Sequence, residues 1–167
     1  IPEPQHLAVA AGRAGIYVAT GVVAGGAGRG QGGGVLSAVV FFALGQGLVF
    51  ALAHLYDAIT PFDLEAEIQR GNTAAGVAFS GTLMAMGLIM MDAVSGDFIG
   101  WSDSLWGFGR EAVTGLVLLV VVRQLVDRAL VPGDDLNREI AEDGNLAAGF
   151  AEAAVALAFA GVLVALL

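Results

Sequence analysis

Five apolar runs, roughly 6–27, 35–56, 72–94, 108–130 and 145–167, constrain this 167-residue chain more than anything else in it. Each run is about 20 residues, or about 30 Å as a helix, which matches the hydrocarbon core of a bilayer. The chain is 57% hydrophobic and 14% charged, against about 45–50% and 25% in soluble domains. Its charges, net -9, gather in the breaks between runs, where a membrane protein has to put them. The fold class expected is all-α: a polytopic transmembrane helix bundle of five spans, two parallel-related helical hairpins preceded by one extra helix.

A phrase written twice gives those runs an order. Asp63-Leu64-Glu65-Ala66-Glu67-Ile68 leads into Gly71-Asn72-Thr73-Ala74-Ala75-Gly76, and Asp135-Leu136-Asn137-Arg138-Glu139-Ile140 leads into Gly144-Asn145-Leu146-Ala147-Ala148-Gly149. The copies are 72 residues apart at Asp and 73 at Asn, so one residue is inserted between the halves. Each phrase joins two apolar runs, and the repeating unit reads as helix, acidic connector, helix. A four-helix unit at 35–167 follows, made of hairpins 35–94 and 108–167. Residues 1–34 supply an extra helix and a Gly-rich link. In that helix His6-Leu7-Ala8-Val9-Ala10 stands where Asn72 and Asn145 open theirs, as in the degenerate last helix of a preceding repeat. The chain begins at Ile1 with no signal-peptide pattern, and reads as processed or as a fragment.

The breaks have their own grammar. Thr60-Pro61 suits an N-cap and first turn, Asp63, Glu65 and Glu67 suit the positive end of a short helix, and Gly71 can stop it. Pro132 to Asp135 opens the second connector likewise, and Gly144 closes it. Gly25 to Gly34 reads as a flexible link. Ser95 to Gly107, with Trp101, Trp106, Asp97 and Asp103, reads as a loop at headgroup level. Arg70, Arg123, Arg128 and Arg138 on the connector side outnumber Arg29 and Arg110 on the other, which places the connectors in the cytoplasm and the C-terminus in the periplasm.

Few residues offer chemistry. Asn72 and Asn145 each follow Gly at a helix start, as N-caps do, or they line a polar site near a pseudo-twofold axis. Gly76 with Ser80, and Gly149 with Ala153, have the small-x-x-x-small spacing of close helix packing. Arg13 and Glu152 lie seven residues after His6 and Asn145. Equal depth in the membrane lets them pair across a helix interface, or serve ion or proton passage. His54, Tyr56 and Asp57 read as interfacial anchors, as do Arg123, Asp127 and Arg128. The connector carboxylates read as solvated faces, with a cation or basic partner as the lesser alternative.

Exclusions are clearer. Without Cys there are no disulfides or thiolate metal sites, and with no Lys and seven scattered Arg there is no nucleic-acid stripe. The two His residues lack zinc spacing and no Ser sits in a nucleophile elbow. No enzyme, cofactor or metal is expected.

The stretch Gly71-Asn72-Thr73-Ala74-Ala75-Gly76-Val77-Ala78-Phe79-Ser80-Gly81-Thr82-Leu83 resembles the YjfL-like family of bacterial inner-membrane proteins, a domain of unknown function (DUF350), and Gly144 to Gly149 is similar to that family's second copy of the phrase. His6 stands where the family has Asn. The resemblance covers about residues 35–167 and implies a small multi-pass inner-membrane protein, sometimes with the unit duplicated. It implies no catalytic residues. The function expected is a non-enzymatic membrane subunit that assembles with itself or with other membrane proteins. The alternative is a small ion or solute channel or transporter using the polar helix starts. The expected surroundings are lipid and further copies or subunits, with no nucleic acid.

Overall fold

A computed structural model describes residues 4–130 and 136–166, with side-chain surroundings for 6–121 and 136–166. In chain order the helices are α1 (Pro4–Ala27), α2 (Val35–Ile59), α3 (Leu64–Gln69), α4 (Thr73–Val94), α5 (Trp101–Leu130), α6 (Leu136–Ala141) and α7 (Leu146–Leu166), and no strand occurs among the described residues. Five of them are long and apolar enough to cross a membrane, and the two short ones, α3 and α6, are the connectors.

The helix α4 is the core. Its span is 72% buried, against 22% to 33% for the other four, and Leu83, Ile89 and Met90 in it are almost fully enclosed. α1 and α7 flank it. Along α1 and α4 the touching pairs Ala8–Gly76, Gly15–Ser80, Ala19–Gly87 and Gly26–Met91 rise together in number, so the helices run parallel. Ala74–Gly149 and Gly81–Ala153 show the same for α4 and α7. A parallel row α1, α4, α7 results, and all three leave the membrane side that carries the connectors. Running the opposite way, α2 packs on α1 and α4, and α5 packs on α4 and α7. Lipid chains are as apolar as the helices, so what holds such a row is backbone proximity and van der Waals contact, for which Gly and Ala are suited.

Three local expectations change. Thr60 does not open a connector helix; its N–H and Oγ1 both bond to the Tyr56 carbonyl (3.0 and 2.7 Å) and end α2. The cap of α3 is Asp63, whose carboxylate accepts from Ala66 N–H at 2.9 Å. Gly71 at φ 93° and Gly144 at φ 58° close the connectors in the left-handed region, while Pro132 to Asp135 lies outside the described residues. The Trp-bearing stretch is helical from Trp101 onward, leaving only Ser95 to Gly100 as the break. Ser104 Oγ accepts from Ile99 N–H at 3.1 Å and Asp103 sits in the first turn, which carries the helix through the Trp residues expected in a headgroup-level loop. Finally, the Gly-rich link is pinned rather than loose: Gln31 N–H donates to Asp97 at 2.8 Å, and Phe98 N–H donates to the Gln31 carbonyl at 2.8 Å.

Candidate functional site

The two asparagines cap their helices alike. Asn72 Oδ1 accepts from Ala75 N–H at 3.1 Å, and Asn145 Oδ1 accepts from Ala147 and Ala148 N–H at 3.0 and 3.4 Å. Each amide nitrogen donates to a connector glutamate, Asn72 to Glu67 at 3.2 Å and Asn145 to Glu139 at 2.9 Å. Each backbone N–H donates to the carbonyl of that same glutamate, at 3.0 and 2.9 Å. The inserted residue of the second phrase is therefore absorbed in the connector turn, and the Glu–Asn clasp survives it.

They differ in one respect. Asn72 Nδ2 also donates to the Ile140 carbonyl at 2.7 Å, with the Ala141 carbonyl at 3.3 Å, so the cap of α4 grips the connector that leads into α7. Asn145 is exposed and its amide reaches only its own connector. No hydrogen bond joins the two amides among the described residues.

The Arg13–Glu152 pair does not form. Glu152 is 6% exposed and its Oε1 accepts from the Tyr56 hydroxyl at 2.8 Å. Arg13 is exposed on α1 and makes no ion pair among the described residues. α4 stands between α1 and α7 and keeps the two side chains apart. Tyr56 is likewise no interfacial anchor: it is 5% exposed, with its ring stacked on Phe79 at 6.0 Å and 27°. His54 and Asp57 are exposed beside it, and the side chains of Arg123, Asp127 and Arg128 lie outside the described residues.

All four packing positions sit at seams within the chain. A Cβ on Gly76 would stand 2.5 Å from the Ala8 carbonyl oxygen, and one on Gly149 2.5 Å from that of Ala74. Ser80 lies against Gly15, and Ala153 against Gly81.

Sequence reasoning passed over Gln46. It is 9% exposed in mid-α2, and neither end of its amide has a hydrogen-bond partner among the described residues. A lone amide within an apolar run was the signal. Two cavities open between α2 and α5 over α4. One, about 570 Å³, lies at the Gly-rich end among Ser37, Phe41, Asp97, Arg110 and Glu111. The other, about 190 Å³, lies at the connector end among Tyr56, Thr60, Thr82, Met86 and Asn137.

Apolar helices of spanning length, capped at one face of the membrane and packed through glycine and alanine, define a polytopic α-helical membrane protein. The chain belongs to the family described as Domain of Unknown Function (DUF350), which matches residues 32–167. No curated protein and no solved structure matches the chain.

Proposed function

We propose that this is a non-enzymatic integral subunit of a bacterial inner membrane, built to assemble with further copies of itself. The carrying observation is Arg13. It sits about 10 Å into the first span from His6, at 1.5 Å per residue, and it is exposed there. A guanidinium at span depth facing lipid costs about 3 kcal/mol on insertion scales, and a protein neighbour relieves it. The acidic connectors face the cytoplasm and the C-terminus the periplasm on this reading. Purified protein in nanodiscs, weighed by mass photometry, is expected to be oligomeric. A monomer of full stability sinks the reading.

A second reading has its own support. Glu152, Tyr56 and the nearby cavity with Thr82, together with the unpartnered Gln46 amide, put polar groups inside the bundle. A channel or transporter would use them. Ion flux into liposomes holding the protein alone, abolished by Glu152→Gln, would replace the subunit reading with this one.

A further inference from the structure

α2 and α5, the helices that run against the row, pack on it far more than on each other. A ring pair bridges them, Phe41 against Phe108 with centroids 6.0 Å apart. That pair and the Gly-rich link bound the cavity of about 570 Å³, a volume within the range of about 300–1,000 Å³ usual for ligand sites. Its lining reaches Phe41 on α2 and Glu111 on α5. At 1.5 Å per residue these lie about 9 Å and about 15 Å from the helix starts at Val35 and Trp101. The headgroup layer is about 5–8 Å deep on each side of a bilayer, so the cavity runs from that layer into the hydrocarbon.

The floor and the rim of this cavity differ in chemistry. Phe41, Ala93, Val94 and Phe108 make a buried, apolar floor. Asp97, Asp103 and Glu111 line it with Arg110, a surplus of two negative charges. Asp97 is held by the Gln31 N–H at 2.8 Å, Glu111 lies 3.5 Å from Arg110, and Asp103 has no ion pair among the described residues. The rings of Phe98 and Trp106 join these carboxylates in the lining. Carboxylates beside aromatic rings hold an ammonium, by charge-assisted hydrogen bonds and by cation–π attraction. A guanidinium among them suits a phosphate. Water fills such a space poorly, because a buried water needs two to four polar partners and the floor side chains offer none.

We propose that the cavity is a site for a phospholipid of the surrounding bilayer with an ethanolamine headgroup. Its ammonium sits among Asp97, Asp103 and Glu111, its phosphate faces Arg110, and an acyl chain lies over Phe41 and Phe108. Charge decides among the lipids. A headgroup that is only anionic meets the surplus of carboxylates and is repelled. A choline headgroup keeps the positive charge but has no N–H to donate, so it forfeits the hydrogen bonds that three carboxylates can accept. The inference goes beyond the subunit reading and stands whether or not the chain assembles.

Full-length protein stripped of lipid in detergent is offered equimolar phosphatidylethanolamine, phosphatidylcholine and phosphatidylglycerol, and bound lipid is counted by native mass spectrometry. The ethanolamine lipid is expected to exceed each of the others by about tenfold, the factor that one charge-assisted hydrogen bond supplies. Asp103→Asn with Glu111→Gln should erase that preference. Asp57→Asn with Glu65→Gln makes the same charge change at the connector end and should leave it. Gly107 lines the cavity and has open space where a Cβ would stand, so Gly107→Phe should fill the site and abolish retention at an unchanged Tm. Chain-free glycerophosphoethanolamine at the same concentration should not compete. Equal retention of the three lipids, a preference that survives the Asp103 and Glu111 changes, or full competition by the chain-free headgroup overturns the proposal. Should Gly107→Phe fail to fold, the two pairs of charge variants decide alone.

Discussion

The Tyr56 hydroxyl donates to Glu152 at 2.8 Å, tying the end of α2 to α7 while the Tyr56 ring lies on Phe79 of α4. Three helices of the bundle meet at this one ring. Both partners are almost fully buried, so the bond is made where neither group has water as a substitute. Tyr56→Phe keeps the ring and deletes the donor, at an expected cost of about 1–3 kcal/mol because a carboxyl acceptor is left short of one bond. Tyr56→Phe combined with Glu152→Leu should cost less than the two changes summed. Unfolding in mixed micelles, followed by Trp fluorescence, measures this; strict additivity would mean that the hydroxyl and carboxyl do not interact.

Asn72 and Asn145 separate capping from clasping. Asn145→Ala removes a cap and is expected to cost about 1 kcal/mol. Asn72→Ala removes a cap and the bond to Ile140, and should cost about 1 kcal/mol more. Asn72→Asp keeps the cap acceptor but turns a carboxylate toward the Glu67 carboxylate and the Ile140 carbonyl, so it should be worse than Asn145→Asp. The same unfolding assay ranks the four variants. Equal losses at the two sites would show that the Ile140 contact contributes nothing.

What could be read from the sequence was set by periodic and local signals. Run length placed the five spans, and the Gly-Asn phrases placed two helix starts at Thr73 and Leu146, because a cap and its glycine act within one turn. The start of α5 was missed since Trp101, Trp106, Asp97 and Asp103 were read together as a headgroup-level loop, whereas Asp103 and Ser104 stabilise the earlier turn. The small residues at Gly76, Ser80, Gly149 and Ala153 announced close packing, but not against which helix. That depends on the order of helices in the row, and apolar helices carry no polar face to reveal it. For the same reason the directions of Arg13 and Glu152 were not legible, and the inward turn of Tyr56 had no local signature.

The seams predict a sharp contrast among glycines. Gly76→Ala and Gly149→Ala place a methyl 2.5 Å from a backbone oxygen of the neighbouring helix, which cannot move without parting the row. Overpacking of this kind costs about 1–3 kcal/mol. Gly47→Ala and Gly161→Ala meet nothing within 4 Å and should be neutral, or stabilising by up to about 1 kcal/mol through helix propensity. Thermal unfolding of the four variants in one detergent decides it. Tolerance of Gly76→Ala and Gly149→Ala would mean that the α1–α4 and α4–α7 approaches are looser than the backbone geometry requires.

Orientation rests on arginine alone, since Asp and Glu weigh little in which loops stay inside. Four arginines flank the connectors, Arg70, Arg123, Arg128 and Arg138, against Arg29 and Arg110 at the other end. The parallel row requires α3 and α6 to share a side whichever way the protein inserts, so two independent statements can be tested together. With no native Cys, Glu65→Cys and Asp143→Cys report the two connectors and Gly96→Cys the opposite face. A membrane-impermeant maleimide applied to intact spheroplasts is expected to label Gly96→Cys and spare the other two, which should react only after lysis. Labelling reversed throughout would flip the protein and leave its fold untouched. If Glu65→Cys and Asp143→Cys were to label from different sides, the parallel row itself would fail, because α4 and α7 would then leave opposite faces of the membrane.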